Sequence, residues 1–310
     1  MRKYIFLLLG LVWLITPAQA QIQKREINAR RENQRLIAKE DYFINSLQLI
    51  DLPTGNIING GYVSGSLLMF EEGGMLGRLS AGISDRAMFG ISYGGDHILG
   101  DQIIKWNDAP SVHIAYRALD ESAKWFSVVF GLDTQGYGKY WRESDYPDLK
   151  PEEIDPTKMP FKRYSYKSRG FYVVASKNYR ARWTVGLHVG ANYSLETSDK
   201  DRDPNVFTGI DWQLGRDLAI VSEYDFAFNG DKLPILRGSK GYLNAAVRWA
   251  FQPNMYIEFS GKNLLADNEG NRDYVRCLKM VYYTRTTGPS SRDIERKPTF
   301  WERIFGRRDR

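Results

Sequence analysis

The chain reads as an all-β protein, a transmembrane antiparallel up-and-down β-barrel of about 12 strands with short non-barrel extensions at both ends. Three observations carry that reading: side-chain parity, the ordering of connection lengths, and an export signal followed by no helical span. Parity is clearest in residues 183–194, WTVGLHVGANYS. Its odd positions are Trp183, Val185, Leu187, Val189, Ala191 and Tyr193, and its even positions are Thr184, Gly186, His188, Gly190, Asn192 and Ser194. Side chains alternate with period two along a strand, so one face is apolar with an aromatic at each end and the other is small and polar. Length and aromatic ends match a membrane-spanning strand rather than a strand facing water.

The N-terminus supplies the compartment. Arg2 and Lys3 precede an apolar stretch at 5–15, and Ala18-Gln19-Ala20 forms a cleavage site between Ala20 and Gln21. Residues 1–20 therefore read as a secretory signal peptide. No cysteine stands at the cleavage point, which argues against a lipoprotein anchor, and no later stretch is apolar enough for a membrane helix. Loss of Arg2 and Lys3 lowers the formal net charge from +6 to +4, a balance that demands no nucleic acid. Cys277 is the sole cysteine, excluding an internal disulfide and a cysteine-based zinc site.

Residues 21–51 are a polar extension rich in Arg, Gln and Glu, read as a periplasmic leader or short helix, with a helix inserted into the lumen as the other option. The barrel is assigned to 52–284. Its β-like runs fall at 57–70, 75–84, 87–95, 111–118, 125–140, 169–179, 183–195, 206–215, 218–229, 241–251, 255–265 and 273–284. Connections between them are tight at 85–86, 120–124, 180–182, 216–217 and 252–254. They are long at 96–110, 141–168, 196–205, 230–240 and 266–272, with one short exception at 71–74. Tight and long connections alternate, as a barrel with periplasmic termini requires.

Charges sit mid-strand on one face, because a charge facing lipid costs a few kcal/mol. The residues assigned to the lumen are Arg78, His113, Arg117, Asp133, Lys177, His188, Asn192, Asp211, Glu223, Asp225, Arg248, Glu258 and Lys262. Their near balance of sign fits either a lumen filled by ion pairs or a pore for neutral polar solutes. In the last run Lys279 either faces the lumen among apolar neighbours or marks a register-shifting bulge. The tail, 285–310, is basic and aromatic, with Phe300, Trp301, Ile304 and Phe305.

No constellation demands catalysis, a cofactor or a metal. No G-x-S-x-G occurs, and no serine stands beside His97, His113 or His188. Asp199, Asp201 and Asp203 have calcium-loop spacing but meet Pro204 and Ile210 where that loop needs Gly and Glu, so a solvated loop is expected.

The segment 52–100, with GISDR at 82–86 and GISYGG at 90–95, resembles bacterial outer-membrane proteins labelled YjbH-like, named for a protein encoded with exopolysaccharide-export genes. GLDTQGYG (131–138), ASKNY (175–179), EYDFAFN (223–229) and GYLNAAVRW (241–249) fit the same pattern. The resemblance implies no catalytic residue and a role accessory to envelope polysaccharide export. The expected protein is thus a non-enzymatic barrel in the outer membrane of a Gram-negative-type bacterium, an export accessory or a passive conduit. Its expected partners are outer-membrane lipid, the barrel-assembly machinery and envelope polysaccharide or its export proteins. Competing readings are an enzyme acting on lipid or glycan through His113 or His188, and a structural barrel docking periplasmic partners through its ends.

Overall fold

The computed structural model describes residues 47–142, 162–181, 183–215, 217–230, 241–252, 254–265 and 275–286. The signal-peptide reading with Ala20 and Gln21, residues 21–46 and the tail beyond 286 lie outside them. Twelve strands form the barrel wall: β1 (Tyr62–Phe70), β2 (Gly74–Ser84), β3 (Ala87–Asp96), β5 (Ser111–Leu119), β6 (Ser127–Asp133) and β9 (Gly170–Arg180), then β10 (Thr184–Tyr193), β11 (Asn205–Gln213), β12 (Leu218–Asp225), β13 (Tyr242–Gln252), β14 (Met255–Lys262) and β15 (Val275–Arg285). All neighbours pair antiparallel, and β1 against β15 closes the ring. Closure leaves no strand edge unpaired, which a hydrocarbon surrounding requires. The short β4 (Lys105–Trp106) adds beside β3, and β7 (Tyr137–Trp141) pairs with β8 (Arg163–Tyr166) as a separate hairpin.

Each predicted run overlaps one wall strand, with most ends shifted by up to four residues, and two runs change more. The first strand begins at Tyr62, not at 57, because Ile57 and Ile58 are buried inside the barrel and not in its wall. The run 125–140 divides, β6 staying in the wall and β7 leaving it. Gly136 and Gly138 sit at this departure: a side chain at Gly136 would meet the Tyr164 ring, and Gly138 has φ +71°. β15 pairs in unbroken register with both neighbours, so no bulge is present and Lys279 faces inward.

The outer surface is apolar across mid-strand, with Ile91, Val189, Ile220, Val247 and Phe259 all exposed. Aromatics collect at both rims. Trp183 lies edge-on to Trp212 at the short-turn end, and Tyr93 stacks on Trp106 at the long-loop end. This is a transmembrane barrel: an apolar band between two aromatic girdles. One lumen assignment is corrected. Lys177 pairs across the sheet with exposed Leu187 and so faces outward. Its ammonium reaches the carbonyls of Ser122, Ala123 and Trp125 at the rim, so its stem lies along the wall while the charge leaves the apolar band.

Val247→Arg, on the outer face, should cost about 2–4 kcal/mol of barrel stability in a lipid bilayer. Urea titration of liposome-refolded protein measures it, and an unchanged midpoint would contradict the assigned faces.

Candidate functional site

The lumen is occupied by the chain itself. Residues 47–60 enter as a hairpin, in which Gln48 bridges Pro53, Leu49 N donates to Leu52 O (2.8 Å) and Thr54 N donates to Leu47 O (3.2 Å). The hairpin leaves at the short-turn end, where Gly60 N meets Asp85 of the 85–86 turn (3.3 Å). Leu49, Ile50, Leu52, Ile57 and Ile58 are buried to 4% exposure or less. They pack on Met88, Ala115, Val129, Val174, Phe207, Val221 and Ala246 of the wall. Each such side chain contributes about 1.5–3 kcal/mol relative to exposure. A Cβ at Gly209 would stand 2.3 Å from Leu49 Cδ1, so the wall is hollowed at that point to receive the hairpin.

The tip is held by charge. Glu223 accepts the backbone N–H groups of Ile50 (2.9 Å), Asp51 (3.1 Å) and Leu52 (3.0 Å), and Asn244 Nδ2 at 2.7 Å. Three successive amides converging on one carboxylate form an anion nest, with the anion supplied by the wall. On the other side Lys262 Nζ bridges both Asp51 oxygens at 2.7 and 2.8 Å. Lys279 Nζ donates to Ile50 O at 2.5 Å. Arg248 donates to Gln48 O at 3.0 Å and also to Leu49 O, and is itself fixed by Glu258 at 2.6 Å. Glu258 also pairs with Lys279 at 3.2 Å.

The arms are strapped lower down. Gly55 N donates to Ser176 Oγ (2.7 Å), which bonds His188 Nδ1 (2.6 Å), and His188 Nε2 meets Asp211 (2.7 Å). The order Ser–His–Asp matches a nucleophilic relay, yet Ser176 is 2% exposed and its oxygen is covered by Gly55. An acyl group needs that approach and donors for its oxyanion. In this state the relay is a strap for the hairpin.

The remaining assigned residues divide among other networks. Arg78 pairs with Asp133 at 3.0 Å, and His113 Nε2 meets the Tyr172 hydroxyl at 2.9 Å. Asp225 takes Arg169 and Asn205, which also reaches Asn192. Arg117 lies at the short-turn rim, 3.8 Å from Asp120. Sequence reasoning missed Asp51, Arg169 and Ser176.

A cap lies across the long-loop mouth. The β7–β8 hairpin crosses from β6 and β9 to the far wall, where Tyr166 meets Tyr242 edge-on (4.9 Å) and Tyr137 lies under Lys262 (4.9 Å). Gln48 Nε2 donates to the Tyr137 hydroxyl (3.0 Å). Asp199 and Asp201, expected in a solvated loop, are buried at 1% and 2% exposure. Asp199 holds Arg163 (2.5 Å) and Lys167 (2.7 Å) of the cap, which supplies the cations in place of a metal. Glu196 accepts the amides of Tyr164 (2.9 Å) and Ser168 (2.5 Å), while burial raises its carboxyl above the ordinary value.

No protein-family model and no curated protein matches the chain. Among solved structures it is similar to a KdgM porin, at 12% identity over 71% of this chain and 98% of that one, with TM-score 0.38. It is also similar to a NanC porin (10%, 72% and 98%, TM-score 0.38) and to an outer membrane channel from Pseudomonas putida F1 (11%, 74% and 97%, TM-score 0.38). At these values nothing of those proteins' solutes transfers to this chain.

Glu223→Gln should weaken the charged hydrogen bonds at the tip by about 1.5–3 kcal/mol, speeding amide exchange of residues 50–52 roughly 10- to 100-fold. Exchange at the wild-type rate would refute the nest. Because Glu196 binds its proton more tightly in the docked cap, cap stability should fall as pH rises from the ordinary carboxylate range through the raised value. Glu196→Gln should abolish that slope, read as exchange of residues 163–168 against pH; a slope like the wild type's would count against the assignment.

Proposed function

We propose that the protein is a non-enzymatic outer-membrane barrel, a conduit for polar solutes or polymers that its own N-terminal hairpin holds shut. The carrying observation is that the hairpin tip is seated on charged wall residues. A lumen cavity beside Leu47, Gln48 and Lys279 is about 30 Å³, room for about one water molecule, and with the buried hairpin core it supports a closed state. A permanently sealed core gains nothing from buried Arg248, Glu258, Lys262 and Lys279, since apolar replacement of buried ion pairs is often neutral or stabilising. The same charges suit a wall that becomes hydrated once the hairpin leaves. Both arms of the hairpin point to the short-turn end, which in such barrels is periplasmic, so withdrawal needs no reversal of chain direction. The YjbH resemblance favours an envelope polysaccharide as cargo, and the covered Ser176 disfavours the enzyme reading.

Planar-bilayer recording tests this. Full-length protein should be nearly silent. Leu49→Asn with Leu52→Asn buries two uncompensated amides at about 1–3 kcal/mol each, so the open fraction should rise roughly 100-fold. A variant that folds as a heat-modifiable barrel yet stays silent would overturn the conduit. For the polysaccharide cargo, gene deletion that leaves surface polysaccharide and small-sugar permeability unchanged would do the same.

A further inference from the structure

Among the described residues, the hairpin brings one carboxylate of its own into the lumen. Asp51 is 3% exposed, and Lys262 grips both of its oxygens. The neighbouring cations Lys279 and Arg248 take the carbonyl oxygens of Ile50, Leu49 and Gln48. The hairpin thus presents to this basic cluster what a small acidic molecule would present: one carboxylate and adjacent neutral oxygens. We propose that Lys262, Lys279 and Arg248 form a binding site for a carboxylate-bearing solute, of which Asp51 is the built-in occupant. This deepens the conduit reading and rests on it.

Charge balance selects the ligand class. Among the wall groups in direct contact with the tip or with its cations there are three cations, Arg248, Lys262 and Lys279, and two anions, Glu223 and Glu258, while Asp211 lies beside His188. The nearby Arg169–Asp225 pair is neutral by itself. Asp51 cancels the single excess positive charge, and once it leaves a monoanion restores the balance. A phosphate dianion would overshoot, adding a second negative charge close to Glu223 and Glu258. Lys262 carries the vacated charge, because Glu258 retains both Arg248 and Lys279. The Tyr137 ring under Lys262 offers an apolar face beside the charge, suited to a solute of sugar size.

The experiment records single channels of the Leu49→Asn/Leu52→Asn protein with glucuronate, glucose or glucose 6-phosphate added. Glucuronate should reduce the open-channel current at concentrations about tenfold below glucose, the worth of one charge-assisted contact. Adding Lys262→Gln in that background should bring the two sugars level. In the otherwise native chain, Asp51→Asn should raise the open fraction severalfold, since it vacates the site without adding charge. Equal potency of glucuronate and glucose through a conducting barrel would overturn the site and leave the conduit standing. Greater potency of glucose 6-phosphate would overturn the carboxylate assignment. Silence of every variant would overturn both readings.

Discussion

The structure depends on neutralising charge inside a closed wall. A barrel in lipid must place its mid-strand charges inward, and an inward charge away from bulk water needs a counterion or several hydrogen bonds. Glu223 illustrates the constraint: three of its four donors are amides of the hairpin tip, and only Asn244 comes from the wall. Lys262 illustrates its complement, since its carboxylate partner is Asp51. The wall and the hairpin are therefore two halves of one electrostatic unit. Neither half reaches balance alone without water.

That unit is reinforced by apolar packing, and the two terms have different consequences for opening. The apolar contacts of Leu49, Ile50, Leu52, Ile57 and Ile58 scale with area removed from water and weaken gradually as the hairpin slides. The tip contacts are directional and fail together, because the Glu223 nest requires three consecutive amides in one conformation. A seat of this kind would favour two discrete states over a graded leak, as the proposed conduit requires. The Gly55–Ser176–His188–Asp211 strap adds a further all-or-none contact on the returning arm.

The wall was legible in the sequence because strand parity and loop sorting are local signals. Each of the twelve wall strands overlaps one run read from alternation, and twelve of the thirteen assigned lumen residues point inward. Lys177 failed because parity near a rim is not enforced: a long side chain can face outward and still bring its charge to the interface. The hairpin was not legible, since a polar lumen was assumed and contact between residues 51 and 262 leaves no periodicity. A trace was nonetheless present. Val128-Val129-Phe130, Val173-Val174, Val206-Phe207, Ile220-Val221 and Ala246-Val247 break the alternation with apolar neighbours on both faces. Their inward members, Val129, Val174, Phe207, Val221 and Ala246, are the wall side of the core that receives Leu49 and Leu52. Doubled apolar residues in barrel strands point to something apolar within.

The cap and the hairpin meet at shared residues. Tyr137 opens the cap hairpin, accepts Gln48 Nε2 on its hydroxyl and lays its ring under Lys262, while Lys262 holds Asp51. An isolated two-stranded hairpin is marginally stable in water, so the cap relies on what it docks against. Part of that support is fixed wall and loop: Asp199 under Arg163 and Lys167, and Tyr242 against Tyr166. The rest is the hairpin, through Gln48 on the Tyr137 hydroxyl and through Asp51, which holds the Lys262 that lies over the Tyr137 ring. Without the hairpin the cap would keep Asp199 under Arg163 and Lys167, Tyr242 against Tyr166 and Lys262 over the Tyr137 ring, and would lose the Gln48 hydrogen bond. The withdrawal that the conduit reading requires is therefore a release of the hairpin from the wall, and the cap's own anchors on both sides of the mouth do not depend on it.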